Sequence, residues 1–229
     1  MNHQKTAILI FANSALEEGN SKPFRRSVPL FEELNRQTLQ KVKKSGLPYF
    51  LFSEKEQNGN TFGERYTNAI QFVYDQGYEN VITIGNDTPH LQTNQLWETV
   101  EKLKENPIVL GPSADGGYYL MGLHKSQFNK ELFLNIPWQT SRVTQTISRL
   151  LSARNIKVVF LKVLTDIDSV SDIKTVLNSF KQLSATLKNI ISSIISSEKK
   201  LILNNVLATS SFLKTTYFNK GSPVLLHFY

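Results

Sequence analysis

The sequence predicts an α/β fold, a Rossmann-like, doubly wound and mostly parallel sheet, followed by a helical C-terminal extension. Three observations carry this. Short β-rich runs alternate with helical patterns through the first 165 residues, the signature of βαβ units. Several of those runs are unbroken apolar stretches rather than alternating ones, as in strands covered on both faces. The chain of 229 residues is long enough for one α/β domain to bury its own core, and no repeat or flexible linker divides it. The expected division is a domain over residues 1–180 and a mostly helical extension over 181–229.

In chain order, strands are expected at Thr6–Ala12, Pro48–Ser53, Asn80–Asn86, Pro107–Pro112, Gly117–Leu123 and Val158–Val163. Between them, Phe62, Tyr66, Ala69, Ile70 and Val73 recur at helical spacing and form one apolar stripe. Leu96, Trp97, Val100 and Leu103 form a second, with Thr93 or Asn94 as its cap. Val143, Ile147, Leu150 and Leu151 form a third. After Asp168 the texture changes. Ser169-Val-Ser-Asp172 has the spacing of a capping box, with Asp in place of Glu or Gln. Behind it Ile173, Val176, Leu177, Phe180, Leu183, Leu187, Ile190 and Ile194 keep a helical period, as one long helix or as two broken within the Ser-rich stretch 184–197. Residues 201–219 are amphipathic enough to pack, and Pro223–Tyr229 reads as a short strand or an arm.

Composition excludes several classes. Hydrophobic residues at 40% and charged residues at 20% are the balance of a globular protein, not of a coiled coil or a disordered chain. The longest apolar run near the start, Ala7–Ala12, is far shorter than a membrane span or a signal-peptide core. With no cysteine there is no disulfide, thiolate metal site or cysteine nucleophile, which fits a cytoplasmic location. The net charge of +7 is uneven: residues 1–174 hold 20 Lys/Arg against 18 Asp/Glu, and residues 175–229 hold six Lys against Glu198 alone. Those lysines are scattered and accompany no recognition pattern, so nucleic acid is not an expected partner. Three roles stay open to the C-terminal region: covering the sheet, a contact in a homodimer, or a contact with a membrane surface. No Ser-His-Asp order, Walker loop or zinc spacing is present.

Ligands of open parallel sheets bind beyond the carboxyl ends of the strands. Three expected strands run there into acid-bearing loops: Asp87-Thr-Pro-His90, Ser113-Ala-Asp115-Gly116-Gly117, and Thr165-Asp166-Ile-Asp168. Converging carboxylates suit a hard divalent cation, Mg²⁺ or Mn²⁺, carrying a phosphorylated ligand, and such a cation stabilises a diphosphate leaving group. Each loop also has a plain structural reading. Asp87 ahead of Pro89 suits a turn or helix start, Asp172 a cap, His90 a polar loop position, and Gly116-Gly117 a tight turn between strands.

The strings Val81-Ile-Thr-Ile-Gly-Asn-Asp87-Thr-Pro-His-Leu91, Val109-Leu-Gly-Pro-Ser-Ala-Asp115-Gly-Gly-Tyr-Tyr-Leu-Met-Gly-Leu123, Ile136-Pro-Trp138-Gln-Thr140 and Asp166-Ile-Asp168-Ser-Val-Ser-Asp172 occur in this order. Together with Phe62-Gly63-Glu64-Arg65, they resemble the GT-A-type family of small glycosyltransferases long catalogued as a domain of unknown function, some members of which are linked to arsenosugar biosynthesis. More distantly the chain is similar to 2-phospholactate and molybdenum-cofactor guanylyltransferases, which share the nucleotide-diphospho-sugar transferase fold. The resemblance covers roughly residues 6–180.

It implies a GT-A fold and a transferase acting on a nucleotide-sugar donor and a small-molecule acceptor. It implies Asp87 as the metal-site aspartate, with Asp168, or Asp166 in its place, completing that site. Asp115 and the Gly116–Gly117 backbone would line the sugar or acceptor side, with Asp115 the candidate base, and Trp138 and Thr140 would shape the acceptor pocket. Gly19, Lys22, Arg25 and Arg65 would serve the nucleotide and its phosphates. The first loop departs from the family's Pro-x-x-Gly-x-x-Lys-Thr-Arg-Leu pattern. Gly19 and Lys22 match, Pro23 and Phe24 replace Thr and Arg, and Arg25 or Arg26 offers charge from a shifted position. Two other functions are carried forward: a nucleotidyltransferase joining an NTP to a phosphorylated small molecule, and a catalytically silent scaffold on the same fold.

Overall fold

The computed structural model describes residues 5–22, 24–178 and 183–214, with 200–214 described by their backbone alone. Its centre is a six-stranded sheet in the order β2-β1-β3-β5-β4-β6. The strands are β1 (Thr6–Phe11), β2 (Tyr49–Phe52), β3 (Asn80–Ile84), β4 (Ile108–Pro112), β5 (Tyr118–His124) and β6 (Val159–Phe160). All six expected strands are present. β5 is antiparallel to both neighbours, β3 and β4, while the other pairs are parallel, so the sheet is mixed with one reversed strand. The β4–β5 connection is accordingly a hairpin-like turn at Ser113–Gly117, and it delivers Asp115 to the edge where the parallel strands end. β6 is shorter than its apolar run suggested. Beyond Phe160 only the Leu161 N–H to Leu110 carbonyl bond and a bridge between Ser113 and Leu164 continue the pairing.

The apolar runs are unbroken because alternate side chains enter two different cores. Ala7 and Leu9 of β1 face one cluster and Ile8 and Ile10 the other. The first cluster is closed by α3 (Phe62–Asp75), α5 (Lys130–Leu134) and α6 (Val143–Ser152), and the second by α2 (Ser27–Ser45) and α4 (Thr93–Leu103). The stripes read from the sequence are the buried faces: Tyr66, Ala69, Ile70 and Val73 on α3, Leu96, Val100 and Leu103 on α4, and Val143, Ile147 and Leu151 on α6. The α4 cap falls one residue earlier than Thr93, at Gln92, whose N–H donates to the returning Gln95 side chain at 2.8 Å. Thr93 instead begins the helix and donates its hydroxyl to the Lys41 carbonyl. Helices α1 (Ala15–Ser21), α2 and α5 have no counterpart among the segments read from sequence.

A third cluster joins Leu30, Phe31 and Leu34 of α2 to α7 (Val170–Asn178) and α8 (Ala185–Lys214) through Ile173, Val176, Leu187, Ile191 and Ile194. The helical period after Asp168 thus becomes two helices. The second of them begins at Ala185, so most of the Ser-rich stretch is inside α8, with Ser184 Oγ accepting from the Leu187 N–H. Phe180 and the Pro223–Tyr229 tail lie outside the described residues. No helix among the described residues is long and apolar enough to cross a membrane.

Candidate active site

The loops after β1, β3, β4 and β6, together with the α3 and α6 starts, enclose a cavity of about 850 Å³. Nine of the residues singled out from the sequence line it: Lys22, Arg65, Asp87, Asp115, Gly117, Trp138, Thr140, Asp166 and Asp168. Gly19, Arg25 and Gly116 do not. Gly19 lies inside α1, where its carbonyl accepts from Ser27 Oγ at 3.2 Å, so the first loop is a helix rather than a backbone cradle for phosphate. Arg25 is exposed in the turn between α1 and α2.

One side of the cavity is acidic. The β3 and β6 loops are stitched together by the Ile167 N–H donating to the Asp87 carbonyl at 2.9 Å and by Thr88 Oγ1 donating to Asp166 Oδ1 at 2.5 Å. This brings Asp87, Asp166 and Asp168 to one place from two loops far apart in sequence. Burial, the largest influence, pushes the Asp87 carboxyl up, and Asp168 adds to it while Lys22 opposes it. Burial and then the Asp87 charge push Asp166 up to about 8. Glu18 of α1, which is not among the site residues expected from the sequence, joins this side and is also raised by burial. Lys22 Nζ donates to Asp168 Oδ1 at 2.5 Å and lies 3.9 Å from Glu18 Oε2. Burial alone would depress the Lys22 ammonium. The pull of Asp87, Asp168 and Glu18 outweighs it and holds the group charged.

The other side is aromatic. Phe62, Tyr66 and Trp138 pack on one another with centroids 5.1–5.7 Å apart, and Tyr118 meets Trp138 at 6.4 Å. Trp138 is fixed from behind: its Nε1–H donates to the Phe133 carbonyl at 2.7 Å, and it lies so close to Gly63 that a Cβ there would fall 2.7 Å from its ring. That contact gives the Gly63-Glu64-Arg65 helix start a physical reason for its glycine. A buried chain of hydroxyls runs behind the wall, with Tyr118 Oη 2.9 Å from Tyr66 Oη and Tyr66 Oη 2.5 Å from Thr83 Oγ1. Tyr66 had looked like one more member of an apolar stripe. Its hydroxyl role depends on Thr83 and Tyr118, and no spacing pattern reveals those partners. Arg65 stands at the rim, its Nε donating to Gln57 at 3.2 Å.

Asp115 lies between the two sides and is exposed. Its Oδ1 accepts from the Ser113 hydroxyl and from the Gly117 N–H, which closes the turn. Gly116 holds that turn at φ +94°, where a Cβ would strike the Ser141 carbonyl oxygen. The Thr144 hydroxyl clamps the neighbouring Gly117 carbonyl at 2.5 Å. Thr140 Oγ1 donates to the Pro137 carbonyl at 2.7 Å and so shapes its own turn. His90 is buried away from the cavity, and its Nε2 has no hydrogen-bond partner among the described residues. Asp172 caps α7, accepting from Ser169 N–H at 2.8 Å and Asp168 N–H at 3.2 Å.

Asp87, Asp166 and Asp168 are hard oxygen donors, the chemistry that Mg²⁺ and Mn²⁺ select. Among the described residues no three His, Asp or Glu side chains are placed to hold an ion by themselves. The donor set fits the mode in which one or two carboxylates hold a cation whose remaining ligands are phosphate oxygens and water.

Residues 35–140 match the family described as "uncharacterized protein conserved in bacteria (DUF2064)", a span that contains the Gly63-Glu64-Arg65 start, the Asp87 and Asp115 loops and the Trp138 segment. No curated protein matches the chain. Among solved structures, a protein of Desulfovibrio desulfuricans G20 with the provisional description of a nucleotide-diphospho-sugar transferase is 21% identical. The alignment covers 88% of this chain and 98% of that one, at a TM-score of 0.71. The 4-diphosphocytidyl-2C-methyl-D-erythritol synthase of Anaerococcus prevotii DSM 20548 is 13% identical over 77% of this chain and 95% of its own, at 0.48. The manganese complex of Rv0371c from Mycobacterium tuberculosis H37Rv is 14% identical over 76% and 99%, at 0.45. At those last two scores neither bears on the chemistry here. The chain therefore carries the DUF2064 sequence over residues 35–140, on a nucleotide-diphospho-sugar transferase fold.

Proposed function

We propose that the protein is a glycosyltransferase that moves a sugar from a nucleotide-diphospho-sugar to a small acceptor with the help of Mg²⁺ or Mn²⁺. One observation carries the reading. Among the described residues the cavity is lined by Glu18, Asp87, Asp115, Asp166 and Asp168 against only Lys22 and Arg65, with four of the acids on one side, an aromatic wall on the other and Asp115 between them. A diphosphate on that acidic side needs a cation to offset the carboxylates, whereas the aromatic wall suits the flat face of a sugar or acceptor.

In this reading Asp87 and Asp168, with Asp166, would hold the cation, which offsets the charge that builds on the leaving diphosphate. Arg65 and Gln57 face the nucleotide from the rim. The acceptor hydroxyl approaches past Trp138 and Thr140, over the Gly116–Gly117 turn. In an inverting course its oxygen bonds to the anomeric carbon while the bond from that carbon to the phosphate oxygen breaks. The nucleoside diphosphate leaves with the electron pair, and the hydroxyl proton passes to the Asp115 carboxylate. The nucleotidyltransferase reading is less well served, because α1 occupies the place of a glycine-rich phosphate loop.

The test is a thermal-unfolding panel of UDP-, GDP-, ADP- and dTDP-sugars and the four NTPs, with and without Mn²⁺ or Mg²⁺. A ligand at about a hundred times its Kd adds about 2.7 kcal/mol, a shift of several degrees for a chain of this size. The reading predicts a cation-dependent shift with one nucleotide-sugar. A shift with an NTP alone would promote the nucleotidyltransferase, and silence across the panel the scaffold. For the Asp115 role, Asp115→Asn is expected to abolish transfer while leaving donor binding intact, and unchanged turnover would sink it.

A further inference from the structure

Lys22 stands where positive charge is most needed. Its side chain is 14% exposed, its ammonium is 2.5 Å from Asp168 Oδ1 and 3.9 Å from Glu18 Oε2, and it lies over the Phe31 ring at 5.5 Å. Asp87 and Asp168 are the carboxylates that most favour its charged form. Arg65, the other cation of the cavity, is turned toward Gln57 at the rim, so among the described residues lining the cavity Lys22 is the cation that faces the acidic side. A cation and this ammonium compete for Asp168 Oδ1 and for the same field of Asp87. A divalent ion that takes that oxygen without an anion of its own displaces Lys22 and leaves a partly buried ammonium facing a second positive charge.

We propose that Lys22 is a built-in counter-ion that keeps the acidic site closed to a free divalent cation, so that cation and diphosphate enter together. The diphosphate gives the Lys22 ammonium a new anionic partner as it leaves Asp168, which frees that carboxylate for the metal. Lys22 is a positioning residue in this scheme, and the scheme rests on the cation reading of the site above. It adds an order of binding that the reading itself does not require.

The experiment measures Mn²⁺ binding by electron paramagnetic resonance and by calorimetry, without catalysis. Mn²⁺ is titrated alone and in the presence of ADP, GDP, UDP or CDP, into the wild-type chain, Lys22→Met, Lys22→Arg and Asp87→Asn. Methionine keeps a stem of similar length over Phe31 and removes the charge. Arginine keeps the charge and controls for damage to the fold. The wild type is expected to take up free Mn²⁺ weakly, and at least tenfold more tightly with one nucleoside diphosphate. Lys22→Met is expected to bind free Mn²⁺ at least tenfold more tightly than the wild type and to lose most of the response to the diphosphate. Lys22→Arg should follow the wild type. Equal or weaker affinity of Lys22→Met for free Mn²⁺ overturns the counter-ion role, and if Asp87→Asn still abolishes binding in that case, the cation reading survives. If no protein binds Mn²⁺ under any condition, or if Asp87→Asn binds as the wild type does, the cation reading fails and takes this inference with it.

Discussion

Gly116 and Tyr66 show how single residues hold the shape of the site. At Gly116 the backbone is left-handed and the space for a Cβ is filled by the Ser141 carbonyl. Gly116→Ala is expected to destabilise the fold by about 1–3 kcal/mol, read as a lowered urea midpoint at unchanged slope. A variant as stable as the wild type would show that the turn relaxes freely. Tyr66 links Tyr118 and Thr83 in the buried hydroxyl chain. Tyr66→Phe removes one oxygen and leaves two hydroxyls short of a partner, at a cost of about 1–3 kcal/mol. The double variant Tyr66→Phe, Tyr118→Phe should recover part of that loss, since it removes one of the stranded groups, and strict additivity of the two losses would count against a connected chain. At this scale the sequence was informative wherever a residue type had few alternative uses. Asp87, Asp115, Asp166 and Asp168 follow expected strands and reach one cavity. It was uninformative where the role depends on partners: no motif marks Glu18, and only the packing of α1 shows it beside Lys22.

Among the elements, α7 matters most to the site because its cap and the Asp168 loop share one carboxylate. Asp172 Oδ2 accepts from both the Ser169 and the Asp168 N–H groups. Asp172→Ala is expected to cost about 1 kcal/mol of stability. By loosening Asp168 it should also weaken cation binding more than Ser171→Ala does, and calorimetric titration with Mn²⁺ and a nucleoside diphosphate compares the two. Equal affinities would separate the cap from the site. The capping box, the apolar stripes of α3, α4 and α6 and all six strands were legible because each rests on a local period or a local bond. The short extent of β6, the reversed direction of β5 and the position of the break between α7 and α8 were not. Those depend on which strand or helix lies alongside, which a run of apolar residues does not specify.

For the whole molecule, the sheet sets the chemistry by gathering its loops at one edge, and the helices on its second face tune stability. Lys41 of α2 reaches under the Asp87 loop, donating to the Pro89 carbonyl at 2.9 Å, and burial lowers its ammonium to about 8. The charged form is disfavoured only in the folded state, so the unfolded chain binds this proton more tightly. Stability relative to a Lys41→Met variant should therefore rise as pH increases from about 8 toward 10.5. A difference between the two that stays flat across that window would show that Lys41 is solvated in the folded protein.

In the proposed reading a phosphorylated donor and a divalent cation meet at Asp87. The most direct test is calorimetric titration of the wild type and of Asp87→Asn with the nucleotide-sugar that gives the largest thermal shift, each with Mn²⁺ and with a chelator. The expected result is binding by the wild type that the chelator removes, and a loss of at least tenfold in Asp87→Asn, whose own fold remains intact by circular dichroism. Donor binding of equal strength in both proteins, or binding indifferent to the chelator, would contradict it.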